Sequence, residues 1–184
     1  MYQIVEGDTG IHVIGSVAEE DIPLRVKYAS GRPIPADEQP IGLRVVLEEG
    51  PEMLPDLFVL GGNPVASARF VHALEQAGIH NLEFYPAPIE RQDETVIDGY
   101  GVLNIVGLVD CIDRRRSRYT TFAGRIFRLQ HLELDESLIH DQLIFRPMGY
   151  ELLMLAHEKA AAALAGFTGV LLPSASGWSD SHIF

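Results

Sequence analysis

YGVLNIVGLVDCID (residues 100–113) is the stretch whose reading decides the fold. Apart from Asn104 and Asp110, residues 101–112 are all apolar or glycine. Val102, Ile105, Val106, Val109 and Ile112 are β-branched, which suits an extended chain. The run is shorter than the roughly 20 apolar residues that a membrane-crossing helix needs. A strand without a polar side is covered on both faces. The stretch is therefore read as a buried central strand. Asn104 and Asp110 are its interruptions, expected to hydrogen-bond within the core because buried polar groups need partners.

Two similar blocks flank this strand. LFVLGGNPVASARFVHALEQAGIHNLEFY (57–85) reads as strand, helix, strand. In it, Asn63 is the expected N-cap and Pro64 the first helical residue. Val65, Ala68, Val71 and Leu74 recur at helical spacing, and Gly78 supplies the left-handed residue that ends the helix. LIFRPMGYELLMLAHEKAAAALAGFTGVLL (143–172) repeats the order, with a strand at 143–146, a helix at 150–165 and a last strand from 167. Leu153, Ala156, Ala160, Ala163 and Leu164 form its apolar stripe. The fold class expected is α+β: a mixed sheet around the strand at 100–113, with the helices of the two units packed on it.

Residues 1–184 are taken as one domain, with a β-rich part over 1–50 and an α/β part over 51–184. Short strands are expected in YQIV, in IHVIGSV, at 24–28 and at 43–47. Residues 29–42 hold three prolines and two glycines and read as a loop. Residues 90–98 read as an acidic connector, 125–134 as a strand, and the tail from 174 as turn-like and loose.

With 14 basic and 26 acidic residues the net charge is −12, which argues against binding nucleic acid or an anionic membrane. It is compatible with a basic protein partner, although acidic surfaces more commonly serve only to keep a chain soluble. The single cysteine, Cys111, excludes an internal disulfide and lies where a thiol packs as a small hydrophobe. No secretion signal is visible at the N-terminus, so a cytoplasmic location is expected.

Chemistry-bearing patterns are sparse. No two of the seven histidines stand at i, i+4, so no helical metal site is expected, and no cofactor. There is no G-x-S-x-G elbow, no dinucleotide fingerprint and no phosphate-binding loop, and no catalytic residue is assigned. Gly62-Asn63 and Gly149 stand where anions could meet helix starts, though a plain capped turn explains them as well. Asp110 and Asp113 are three apart on the strand and point to opposite faces, against a paired-carboxylate site. Asp113 suits a turn cap or a partner for the arginine run. RRRSR (114–118) reads as a solvated loop.

Four stretches together resemble a known family. YASGRPI (28–34), LPDLF (54–58), YGVLNIVGLVDCIDRRRS (100–117) and LIFRP with FTGVLL (143–147 and 167–172) are similar to the eleventh family of bacterial immunity proteins of polymorphic toxin systems. The central motif is the most specific of the four. The resemblance implies an antitoxin that binds and neutralises a cognate toxin without catalysis. It makes Asn104, Asp110, Asp113 and Ser117 fold determinants rather than contact residues. A basic toxin surface would meet acidic loops, so Glu48, Glu49, Glu52, Glu90, Asp93, Glu94 and Asp98 are the expected contact set. Two alternatives stay open: a small-anion or nucleotide-binding domain or enzyme built on the two strand-to-helix turns, and a structural interaction module. Neither the toxin nor an oligomeric state can be read from the sequence.

Overall fold

The computed structural model describes residues 1–19 and 28–180. Most of the strand expected at 24–28 lies outside the described residues. In chain order the strands are β1 (Tyr2–Gly7), β2 (Ile14–Ala18), β3 (Arg44–Glu49), β4 (Leu57–Leu60), β5 (Asn63–Ser67), β6 (Leu82–Pro86), β7 (Ile89–Arg91), β8 (Val96–Ile97), β9 (Tyr100–Ile105), β10 (Leu108–Val109), β11 (Arg118–Phe122), β12 (Arg125–His131), β13 (Ile144–Pro147), β14 (Met154–His157) and β15 (Val170–Leu171). The helices are α1 (Ala68–Gln76) and α2 (Glu158–Leu164). The fold is mixed α+β, with its strands in several sheets.

The stretch 100–113 is not one strand. β9 is central in the sheet β4-β5-β9-β6, whereas β10 is an edge of β10-β13-β14-β1-β15. The chain breaks between them at Val106-Gly107, where Gly107 donates its N–H to the Gly31 carbonyl and Val106 donates to Asn81. β9 itself is buried from Gly101 to Ile105. Leu103 and Ile105 face one core cluster and Val102 another, so this strand is apolar on both faces because both are covered.

Both flanking units contain one strand more than expected. Gly61 and Gly62, with φ +57° and +85°, form a two-residue turn that pairs Leu60 with Asn63. Two successive residues at positive φ make the tight hairpin turn that suits the strand twist. Asn63 is therefore the first residue of a strand, not a helix cap. Pro64 sits opposite Val59, next to the turn-closing pair, where the ladder does not call on its missing N–H. The helix begins four residues later than expected, capped by Ser67, whose Oγ accepts from the Phe70 N–H. The second helix is likewise shortened, because residues 154–157 are the strand β14 between β13 and β1. Packing in the sheet overrides the helical preference of Met154, Leu155 and Ala156 there.

The two units share one topology. In each, a hairpin (β4-β5; β13-β14) leads through a helix to a strand (β6; β15), and a strand from elsewhere (β9; β1) is inserted antiparallel before that last strand. This is a split β-α-β arrangement, present twice. Gly78 and Gly166, both at positive φ, follow the two helices.

α1 and α2 pack against each other and, with the inner faces of both sheets, make a cluster that includes Phe70, Leu74, Leu103, Ile144, Ala160 and Leu164. The outer face of the first sheet is covered by the sheet β2-β3-β7-β8 through Val45, Leu47 and Ile89. Residues 90–98, expected as a connector, supply the β7-β8 hairpin of that sheet. The outer face of the second sheet is covered by the β11-β12 ribbon and by Cys111, Leu132, Ala175 and Trp178. The tail as far as residue 180 is thus packed rather than loose, with Trp178 only 7% exposed.

Candidate partner-binding site

The β4-β5 turn and the longer β13-β14 turn, which come from equivalent places in the two units, open onto one cleft. Its volume is about 1490 Å³, and its walls include Gly61-Gly62-Asn63, residues 149–152, residues 28–30 with Arg32, and the tip of the β11-β12 ribbon. The two turns that the sequence marks as anion sites therefore lie together, but neither is a helix N-terminus.

Two of the walls are held from within the fold. Arg146, fully buried, donates from Nη1 to the carbonyls of Glu151 at 2.7 Å and of Leu152 and Leu153 at 3.4 Å, which shapes the second turn from inside. Burial pulls its pKa down to about 10, so it is a cation at neutral pH. Its Nε and Nη2 have no hydrogen-bond partner among the described residues. The wall at Arg32 is tied to β9: Asn104 Nδ2 donates to the Arg32 carbonyl and to Glu83, both at 2.8 Å. Glu83 in turn accepts from the Ile34 N–H at 3.1 Å and from the Tyr85 hydroxyl at 2.9 Å. A strand fully inside the core thus fixes a loop at the cleft edge.

The cleft is apolar at its rim and carries few free acids. Phe122, Phe127 and Leu152 are 75, 72 and 68% exposed, and the two phenylalanine rings lie 6.3 Å apart. Glu19 accepts from the Tyr28 hydroxyl, and Glu151 meets Arg125 at 3.4 Å. Arg128 meets the buried Asp180 at 3.6 Å. Asp180 also holds the Leu129 N–H and the Tyr150 hydroxyl, which joins the ribbon to the second hairpin. The Arg32 side chain is exposed and has no partner among the described residues.

The residues of the central motif separate. Asn104 is buried, but Asp110 stands at the surface after β10, its side chain 56% exposed and 3.4 Å from Arg114. The expectation that Asp110 bonds within the core is corrected: the chain leaves the sheet at Val109, so Asp110 reaches water. Asp113 Oδ1 accepts from the N–H groups of Arg115 and Arg116 at 2.9 and 3.1 Å and caps the arginine turn. Ser117 accepts from the Glu133 N–H at 2.9 Å and donates to its carbonyl at 3.1 Å, which pins that turn to the chain after β12.

The acidic set divides as well. Glu48, Glu49 and Asp93 gather at one end of the third sheet around Arg91. The Arg91 guanidinium bonds to the carbonyls of Pro51 and Glu52, bringing that loop alongside. Glu94 is in the β7-β8 turn at φ +66°. Glu90 is engaged by Arg44 at 3.7 Å, and Asp98 lies beyond β8, in the turn before β9. The ribbon and the cleft are not marked by any motif. The available signal was composition: residues 114–128 contain six of the 14 basic residues and no acid.

Among the described residues no group of three or more His, Cys, Asp or Glu side chains is placed to hold a metal ion, and no helix is long and apolar enough to cross a membrane. A family model described as Immunity protein family (Imm11) matches residues 5–149. No curated protein matches the chain.

Proposed function

We propose, because the chain belongs to the Imm11 immunity protein family, that it neutralises a cognate bacterial toxin by binding it, without catalysis, in the cytoplasm of the producing cell. The observation that carries this reading is the family match over residues 5–149, which spans most of the chain. The site chemistry is compatible with it. The cleft between the two hairpin turns and the ribbon presents exposed aromatic and cationic groups, the residue types enriched where proteins bind one another.

Binding and enzymatic inactivation of a toxin differ in stoichiometry. A candidate toxin is first identified as the product of a neighbouring gene that kills cells lacking this chain; purified chain is then titrated into that purified product, and its remaining activity is read. Neutralisation by occupancy ends at about one equivalent, with a complex that survives gel filtration. Loss of toxin activity at a few per cent of one equivalent would mean turnover and would overturn the non-catalytic reading.

A further inference from the structure

We propose that the cleft between the two hairpin turns and the β11-β12 ribbon, rather than the acidic end of the third sheet, receives the toxin, and that the toxin inserts a segment bearing apolar side chains flanked by carboxylates. This rests on the antitoxin reading above and specifies its surface.

Three observations point to that occupant. First, the ribbon tip leaves Phe122 and Phe127 more than two-thirds exposed and in contact with each other, with Leu152 across the cleft. A cluster of large apolar groups in water marks an interaction surface in a soluble chain. Second, the acids that meet the ribbon arginines are turned inward. Asp180 and Glu151 side chains are 2 and 22% exposed, whereas Arg128 and Arg125 are 50 and 69% exposed. The outward chemistry of this face is therefore guanidinium, and Arg32 adds a side chain without a partner among the described residues. Guanidinium beside aromatic surface suits carboxylate-bearing protein segments, with aromatic and arginine anchors at the centre. Third, the walls are held from within, by Arg146 behind the second turn and by Asn104 behind Arg32. Walls fixed in advance lower the ordering cost of binding. Nucleic acid would also seek arginine and aromatic groups, but 26 acidic residues against 14 basic ones oppose a long polyanion on this chain.

The test compares two variants with the wild-type chain, using as the probe the same candidate toxin, the neighbouring gene's product that kills cells lacking this chain, and calorimetry as the readout. One is Phe122→Ser, Phe127→Ser, Arg32→Glu, all exposed, so the fold is expected to persist; circular dichroism and thermal melting check this. The other is Glu48→Lys, Glu49→Lys, Asp93→Lys. The proposal expects the first to weaken binding by about a hundredfold or more and the second by less than about threefold. Wild-type affinity in a folded first variant, or loss confined to the second, overturns the choice of surface and leaves the antitoxin reading intact. Retained toxin binding with a lost affinity for RNA in the first variant also overturns it. No binding by the wild-type chain removes the antitoxin reading and this proposal with it.

Discussion

Asp56 shows how one side chain can join the two halves of the fold. It is 1% exposed and accepts from Ser67 Oγ at 2.7 Å, from Arg69 through Nε and Nη2, and from the N–H and hydroxyl of Thr168 at 3.0 and 2.9 Å. It therefore links the α1 cap in the first unit to the turn after α2 in the second. Burial pushes its pKa up, but the bonds from Arg69, Ser67 and Thr168 pull it further down, below the usual carboxylate range. Such a group stabilises the fold fully above the unfolded value of about 4 and loses that contribution as pH falls through the folded value. Asp56→Asn should cost about 2 kcal/mol at pH 7 by urea unfolding, and the gap from wild type should narrow towards pH 3. Cys111 offers a second check. It is fully buried, and burial pushes its thiol up to about 12. It should not react with a thiol reagent at pH 8 in the folded chain and should react fully in denaturant.

At the scale of elements, β9 packs closely against β6. A methyl group on Gly101 would collide with the Tyr85 carbonyl and lie 2.7 Å from the Phe84 ring, both on β6. Gly101→Ala should therefore force β6 away from β9 and cost about 2–3 kcal/mol. Gly61→Ala meets nothing within 4 Å and carries only the strain of φ +57°, so about 1 kcal/mol is expected by the same measurement. The same elements show what was legible from sequence. The apolar character of 101–105 correctly marks a strand covered on both faces. The glycine after Val106 carries the break into a second sheet, yet inside an apolar run it reads as one more small residue. Gly61-Gly62 is a strong hairpin signal, but the following Asn-Pro is an equally strong helix start, and local chemistry cannot choose between them. The choice is made by β9, about 40 residues on, which offers β5 a partner. The duplicated order of the two units was readable, whereas their inserted strands come from outside each unit and leave no trace within it. Among the site residues, Asp113 sits in the turn where the sequence puts it, whereas Asp110 does not enter the core.

For the molecule as a whole, charge is unevenly placed. The acids expected to meet the partner gather partly around Arg91 on the third sheet, while the aromatic and cationic groups face the cleft on the ribbon side. If the cleft meets carboxylates, association should slow as salt is raised from 50 to about 300 mM, because screening weakens attraction between surfaces of opposite charge. The reversal Glu48→Lys, Glu49→Lys, Asp93→Lys should leave that slope nearly unchanged by stopped-flow fluorescence. The most direct test of the central claim is survival: cells expressing the candidate toxin, the neighbouring gene's product, are plated with and without this chain. The account predicts that the wild-type chain restores growth and co-purifies with the toxin. Killing that continues despite abundant, folded chain would contradict it.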